Sequence, residues 1–94
     1  MIRHVVMWKL RDADDALRFK ALLDSCDGLV PGMLEFAVGV RSRALEANMD
    51  VVLVSLFNDA AALNAYQTHP LHQAVSAQLG PLREARYVID HFVP

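Results

Sequence analysis

One cysteine, one tryptophan and no block of like charges set the first limits on this 94-residue chain. Cys26 has no second cysteine to pair with, so no intramolecular disulfide can support the fold. It falls in an apolar helical stripe, where a small buried hydrophobe is the expected role. Zinc patterns are missing too: there is no cysteine pair, no H-x-x-x-H and no H-E-x-x-H. Glycines 28, 32, 39 and 80 are too scattered for a phosphate loop or a dinucleotide fingerprint, and no G-x-S-x-G elbow occurs. Nine Lys and Arg are spread among eleven Asp and Glu, for a net charge of −2. That leaves no footprint for nucleic acid and no basic patch for a membrane surface. The opening "MIRHVVMWKL" has an apolar run too short for a signal-peptide core or a membrane span, so the expected location is cytoplasmic.

What the chain does have is apolar surface. It is 54% hydrophobic, whereas a domain of this size buries only about 60–65% of the surface of its unfolded chain. A partner subunit is one way to cover the rest. The whole chain, 1–94, reads as a single domain.

Two periodicities alternate along it. "IRHVVMWKL" (2–10) is rich in β-branched and aromatic residues and reads as a strand, with Ile2, His4, Val6 and Trp8 on one face. "RDADDALRFKALLDSCDG" (11–28) places Ala16, Phe19, Leu22, Leu23 and Cys26 at helical spacing, with Gly28 as a stop. "MLEFAVGVR" (33–41) alternates again, with Leu34, Phe36, Val38 and Val40 sharing a face. "DVVLVSLFN" (50–58) is a third strand, after which Asn58 or Asp59 can cap a helix through "AAALNAYQTH". Pro70 opens a further helix of roughly ten residues, and "ARYVIDHFV" (85–93) is the last strand. The expected class is therefore α+β: a ferredoxin-like βαββαβ sandwich with a four-stranded antiparallel sheet and helices on one face.

Two helices cover only one face of such a sheet, yet the strand at 50–58 is apolar on both. Val51, Leu53 and Phe57 oppose Val52, Val54 and Leu56. An antiparallel sheet open to water on one side should instead alternate apolar with polar. A second copy of the sheet is the simplest cover, so a homodimer packed sheet against sheet is expected.

Chemistry, if present, concentrates in "YQTHPLH" (66–72). The residue before a proline is pushed out of the α region, which makes His69 a corner or cap residue. Pro70 suits the first position of the next helix. Such a corner can turn Tyr66 and His72 to the same side, toward the space between helices and sheet. Imidazole titrates near neutrality and a phenol can donate to a developing oxyanion, so the two can act as an acid–base pair. His4 and Trp8 enter the same space if their strand face looks toward the helices. In a ferredoxin-like order the last strand neighbours the first, which would let His91 approach His4. The expected site is thus Tyr66 and His72 as catalytic residues, with His4, His69, Trp8 and His91 binding substrate in a cavity of roughly 300 Å³ or more.

Together, "IRHVVMWKL", "DVVLVSLFNDAAALNAYQTHPLH" and "YVIDHFV" resemble the stress-responsive A/B barrel family (Dabb domains) over essentially the whole chain. The resemblance implies a dimeric α+β barrel built from two ferredoxin-like protomers. A plant polyketide cyclase of that family carries "Y-x-x-H-P-x-H", matched here by Tyr66 and His72, and a first-strand cavity histidine matched by His4. The implied roles are His72 as general base on an acidic C–H and Tyr66 as donor to the polarised carbonyl. Where that cyclase has a tyrosine on its first helix, this chain offers Phe19, Leu22 and Leu23. Some relatives bind magnesium; no carboxylate cluster here calls for it, and neither metal nor cofactor is expected. The implied function is a cofactor-independent cyclase, isomerase or lyase acting alpha to a carbonyl of a small, carbonyl-bearing or aromatic molecule. The other reading is a non-enzymatic stress-responsive or small-molecule-binding dimer.

Overall fold

The first strand, β1 (Ile2–Leu10), sends Ile2, His4, Val6, Trp8 and Leu10 inward, and all five are buried. In this structure, a computed structural model that describes residues 1–94, the buried inward set continues through Val51, Leu53, Ser55 and Phe57 of the third strand. After β1, the Asp12 side chain accepts the Asp14 amide at 2.9 Å and holds Ala13–Asp15 in a 3-10 turn. The α-helix therefore starts at Ala16, the first residue of the helical spacing, as α1 (Ala16–Asp24), and ends before Cys26. It buries Ala16, Phe19 and Leu23 against the sheet, and Trp8 meets Phe19 edge to face at 5.1 Å.

The chain then returns through β2 (Met33–Val40) and β3 (Val51–Phe57). Gly32, just before β2, has φ +86°, and a Cβ there would lie 2.8 Å from the Ala62 Cβ. Glycine is what lets this turn lie against the next helix. That helix, α2 (Ala60–Thr68), is capped by Asp59, whose carboxylate accepts the Ala62 amide at 2.9 Å. A corner at His69 leads into α3 (Pro70–Leu79), a 3-10 turn at Gly80–Leu82, and β4 (Arg83–Phe92).

The sheet order is β2-β3-β1-β4, with every neighbouring pair antiparallel. This is the ferredoxin-like α+β arrangement, a four-stranded sheet with three α-helices. The core lies between the helices and the inward face, around Phe19, Leu53, Phe57 and Tyr66. Buried Asp50 has a structural role, because its carboxylate accepts the Leu10 amide at 2.7 Å. No helix is long and apolar enough to cross a membrane.

Two departures from the expected pattern have local causes. A register shift between Met33 and Glu35 leaves Leu34 49% exposed, so Met33, not Leu34, joins Phe36, Val38 and Val40 against the core. The last strand begins at Arg83, before the expected start at Ala85, because the Gly80–Leu82 turn ends at once.

The outward face keeps the apolar character expected of it. Met7, Tyr87 and Ile89 are 39%, 57% and 60% exposed. Leu56 is the exception, at 6% exposed. Arg3 and Glu35, both in register with Leu56 from opposite neighbouring strands, form an ion pair of 2.5 Å across it.

Candidate active site

The corner between α2 and α3 arises from two residues. Pro70 lacks an amide hydrogen and opens α3, while His69 is extended (φ −62°, ψ 135°). The His69 ring also caps the new helix, its Nδ1 accepting the Leu71 amide at 3.1 Å. Tyr66, in the last turn of α2, is 1% exposed. His72 occupies the first turn of α3. Their ring centroids are 4.5 Å apart at an interplanar angle of 64°, so the corner does bring them together.

Both rings face a cavity of about 210 Å³ between sheet and helices. His4 and Trp8 line it from β1, Cys26 from the turn after α1, and Val75 and Leu79 from α3. It is smaller than the expected 300 Å³. The Tyr66 ring itself packs into the core, 5.3 Å from Phe57 and 6.4 Å from Phe36, which leaves less room beneath the corner.

His69 and His91 do not line this cavity. For His69, the capping bond turns the ring onto its own backbone. For His91 the reason is register. β4 does lie beside β1, but His91 pairs with Arg3 and Asp90 pairs with His4. Side chains alternate between faces along a strand, so His91 points outward, where its Nδ1 meets the Phe92 carbonyl at 3.2 Å. The approach of His91 to His4 expected from strand order is therefore replaced by contact between Asp90 and His4.

Pattern reading missed that contact. The His4 Nδ1 and an Asp90 carboxylate oxygen form a short hydrogen-bonded pair, with the His4 side chain 3% exposed and that of Asp90 38%. Donation of an Nδ1–H to the carboxylate orients the ring and points Nε2 away from Asp90. The Ser55 hydroxyl also donates to the His4 carbonyl at 3.0 Å, so both the ring and the backbone of His4 are held. Arg83, Arg86 and Ser76 were missed as well, and all three line the cavity. A usable signal existed for β4: Arg86, Val88 and Asp90 share the face opposite Tyr87, Ile89 and His91.

The electrostatics separate Tyr66 from His72. Burial pushes the phenol of Tyr66 well above its ordinary value, with the nearby Cys26 thiol adding to the rise and Arg86 opposing it. Tyr66 therefore stays protonated, a donor at any ordinary pH. Burial lowers the pKa of His72, and the cationic forms of His4, Arg86 and His69 lower it further. The Gln67 backbone opposes that shift, yet Nδ1 of His72 is buried without a hydrogen bond of acceptable geometry. An unpaired buried nitrogen costs about 1–3 kcal/mol, which makes it a natural place for a ligand contact. Burial also raises the Cys26 thiol, opposed by Ser25, so Cys26 is not an activated nucleophile. No group of three or more His, Cys, Asp or Glu is gathered closely enough to hold a metal ion.

Residues 2–93 match the model of the stress responsive A/B barrel domain, Dabb. A Dabb family protein with a ferredoxin-like fold from Mesorhizobium loti is 29% identical, with a TM-score of 0.73 over 99% of this chain and 95% of that one. A dimeric ferredoxin-like protein of unknown function from Thermobifida fusca is 23% identical, with a TM-score of 0.86 over 98% and 90%. The hydroxynitrile lyase from Passiflora edulis is 17% identical, with a TM-score of 0.80 over 99% and 93%. The likeness to these last two is one of fold alone. No curated protein sequence matches the chain.

Proposed function

Because the chain belongs to the stress responsive A/B barrel (Dabb) domain family, and its fold encloses a phenol beside an imidazole, we propose a cofactor-independent enzyme that performs acid–base chemistry alpha to a carbonyl. The observation that carries this reading is the Tyr66–His72 pair, 4.5 Å apart, with the phenol held protonated and the imidazole held neutral. Such a pair suits a reaction in which charge moves from carbon to oxygen.

In the proposed mechanism, neutral His72 takes the proton from the carbon next to the carbonyl. The C–H electron pair moves into the skeleton and the charge settles on the carbonyl oxygen, where the Tyr66 hydroxyl donates a hydrogen bond. The enolate carbon then attacks a second carbonyl, whose C=O π bond breaks and whose oxygen takes the proton from His72, or the skeleton takes that proton back at another carbon. His4, held by Asp90, presents Nε2 to a substrate hydroxyl, and Trp8 forms part of the wall. A cavity of 210 Å³ falls below the ~300–1,000 Å³ of drug-sized ligand sites. That volume favours an isomerase or lyase step on a compact substrate over the folding of a long poly-β-ketone.

The proposed working form is a cytoplasmic homodimer packed through the outward sheet face. That face leaves Met7, Tyr87 and Ile89 exposed at 39%, 57% and 60%, apolar surface that a second sheet would cover. The Thermobifida fusca protein of the same fold is described as dimeric, which supports a dimer here.

The test of the chemistry is deuterium uptake alpha to the carbonyl of small aryl ketones in D₂O, followed by NMR. Wild-type protein should exceed buffer, and His72→Ala should lose about 10²–10⁴-fold of the enhancement while remaining dimeric. Equal rates for wild type and His72→Ala would contradict the assigned base; loss of folding would mark the histidine as structural.

A further inference from the structure

Two arginines with no part in the proton transfer also line the cavity. In the register of β4, Arg83 lies opposite Leu10 and Arg86 opposite Trp8, so both belong to the inward face. Neither forms an ion pair; those present are Arg3–Glu35, His4–Asp90 and Lys20–Asp24. Arg86, on the edge strand β4, is exposed as a residue. It lines the cavity, where burial and the like charge of Arg83 lower its pKa while Asp90 and Tyr66 oppose the drop. No carboxylate lines the cavity, and Asp90 is already engaged with His4.

Two guanidinium groups lining a largely apolar cavity, neither in an ion pair with the protein, form a recognition element for an external anion. Asp90 offsets part of the charge on Arg86, and a net positive charge remains on the pair. A single negative charge matches that remainder, and a planar carboxylate matches the guanidinium fork. The deeper wall, including Val6, Leu53, Val75 and Leu79, suits an apolar body rather than a hydrated phosphate dianion.

The geometry points to a small monocarboxylate as the ligand class of this cavity, its carboxylate held by Arg86 and Arg83 and its apolar body reaching toward Tyr66 and His72. The assignment rests on the cavity's being the ligand site proposed above. It adds a substrate class: carbonyl compounds that carry a carboxylate remote from the reacting carbon.

The experiment titrates ¹⁵N-labelled protein with benzoate, with uncharged benzamide of the same shape, and with inorganic phosphate. Benzoate should move the signals of Tyr66, His72 and Arg86 and bind at least about fivefold more tightly than benzamide. Arg86→Gln, at an exposed site that tolerates substitution, should bring benzoate down to the affinity of benzamide and leave benzamide unchanged. Equal affinities in wild type, an unaffected Arg86→Gln, or tighter binding by phosphate at the same signals would each overturn the monocarboxylate assignment. Benzamide moving the cavity signals as strongly as benzoate would leave the acid–base reading standing while removing the anion. Failure of both probes to reach Tyr66 and His72 would overturn both.

Discussion

Tyr66→Phe separates the chemistry of this site from its packing, because Tyr66 serves both. The ring is 1% exposed and lies among Phe57 at 5.3 Å, His72 at 4.5 Å, and Phe36 and His4 at 6.4 Å. Phenylalanine keeps all of those contacts and removes only the hydroxyl, so the stability change should stay within about 1 kcal/mol. Removing one preorganised donor to a developing oxyanion costs about 10²–10³ in rate, or ~2.7–4 kcal/mol of transition-state stabilisation. Tyr66→Ala, by contrast, empties the centre of the core and should cost about 3–5 kcal/mol of folding stability. Urea denaturation and ketone deuteration, run on the same preparations, read the two effects separately. The reasoning fails if Tyr66→Phe loses more than about 2 kcal/mol of stability with its rate intact, for the hydroxyl would then be a structural hydrogen-bonding group.

The outward face and the His72 environment make two further predictions. Ile89 is 60% exposed in the protomer, so Ile89→Lys should leave the fold intact yet yield monomers by light scattering; persistence of the dimer would exclude this face as the interface. For His72, whose folded pKa lies below the ordinary 6.5, the ring is neutral in both folded and unfolded chains above pH 6.5. As pH falls through 6.5, the unfolded chain takes up a proton that the native chain does not, and stability declines until the folded pKa is reached. His72→Gln should flatten that part of the urea-midpoint profile, and an unchanged slope would refute the assignment.

How much of this was legible in the sequence depends on the range of the interaction that decides it. The inward set of β1 could be read from alternation alone, because each strand residue takes its face from its neighbours. The corner at His69–Pro70 was equally local, a matter of one ring clashing with the residue before it. Asp90 and Arg86 were not legible in this way. Their place beside His4 and Trp8 follows from the β1–β4 register, which joins residues more than 75 positions apart. Strand order alone set His91 beside His4, whereas the register pairs His91 with Arg3 on the opposite face and gives His4 the neighbour Asp90. Leu34 was misplaced because a single bulged residue exchanges faces at one end of a strand. Cavity size depends on how deeply Tyr66 packs, which spacing does not encode.

The central claim is that His72 is a neutral base beside a protonated phenol, and the titration of its ring measures this directly. With ¹³C-labelled histidine, the Cε1 resonance of His72, assigned by its loss in His72→Gln, should titrate with a midpoint below 6.5, the usual imidazole value. Benzoate bound at Arg86 should raise that midpoint by bringing a negative charge close to the ring. A midpoint at or above 6.5 in the free protein would contradict the account, since the ring would then carry a proton where the mechanism requires it to accept one.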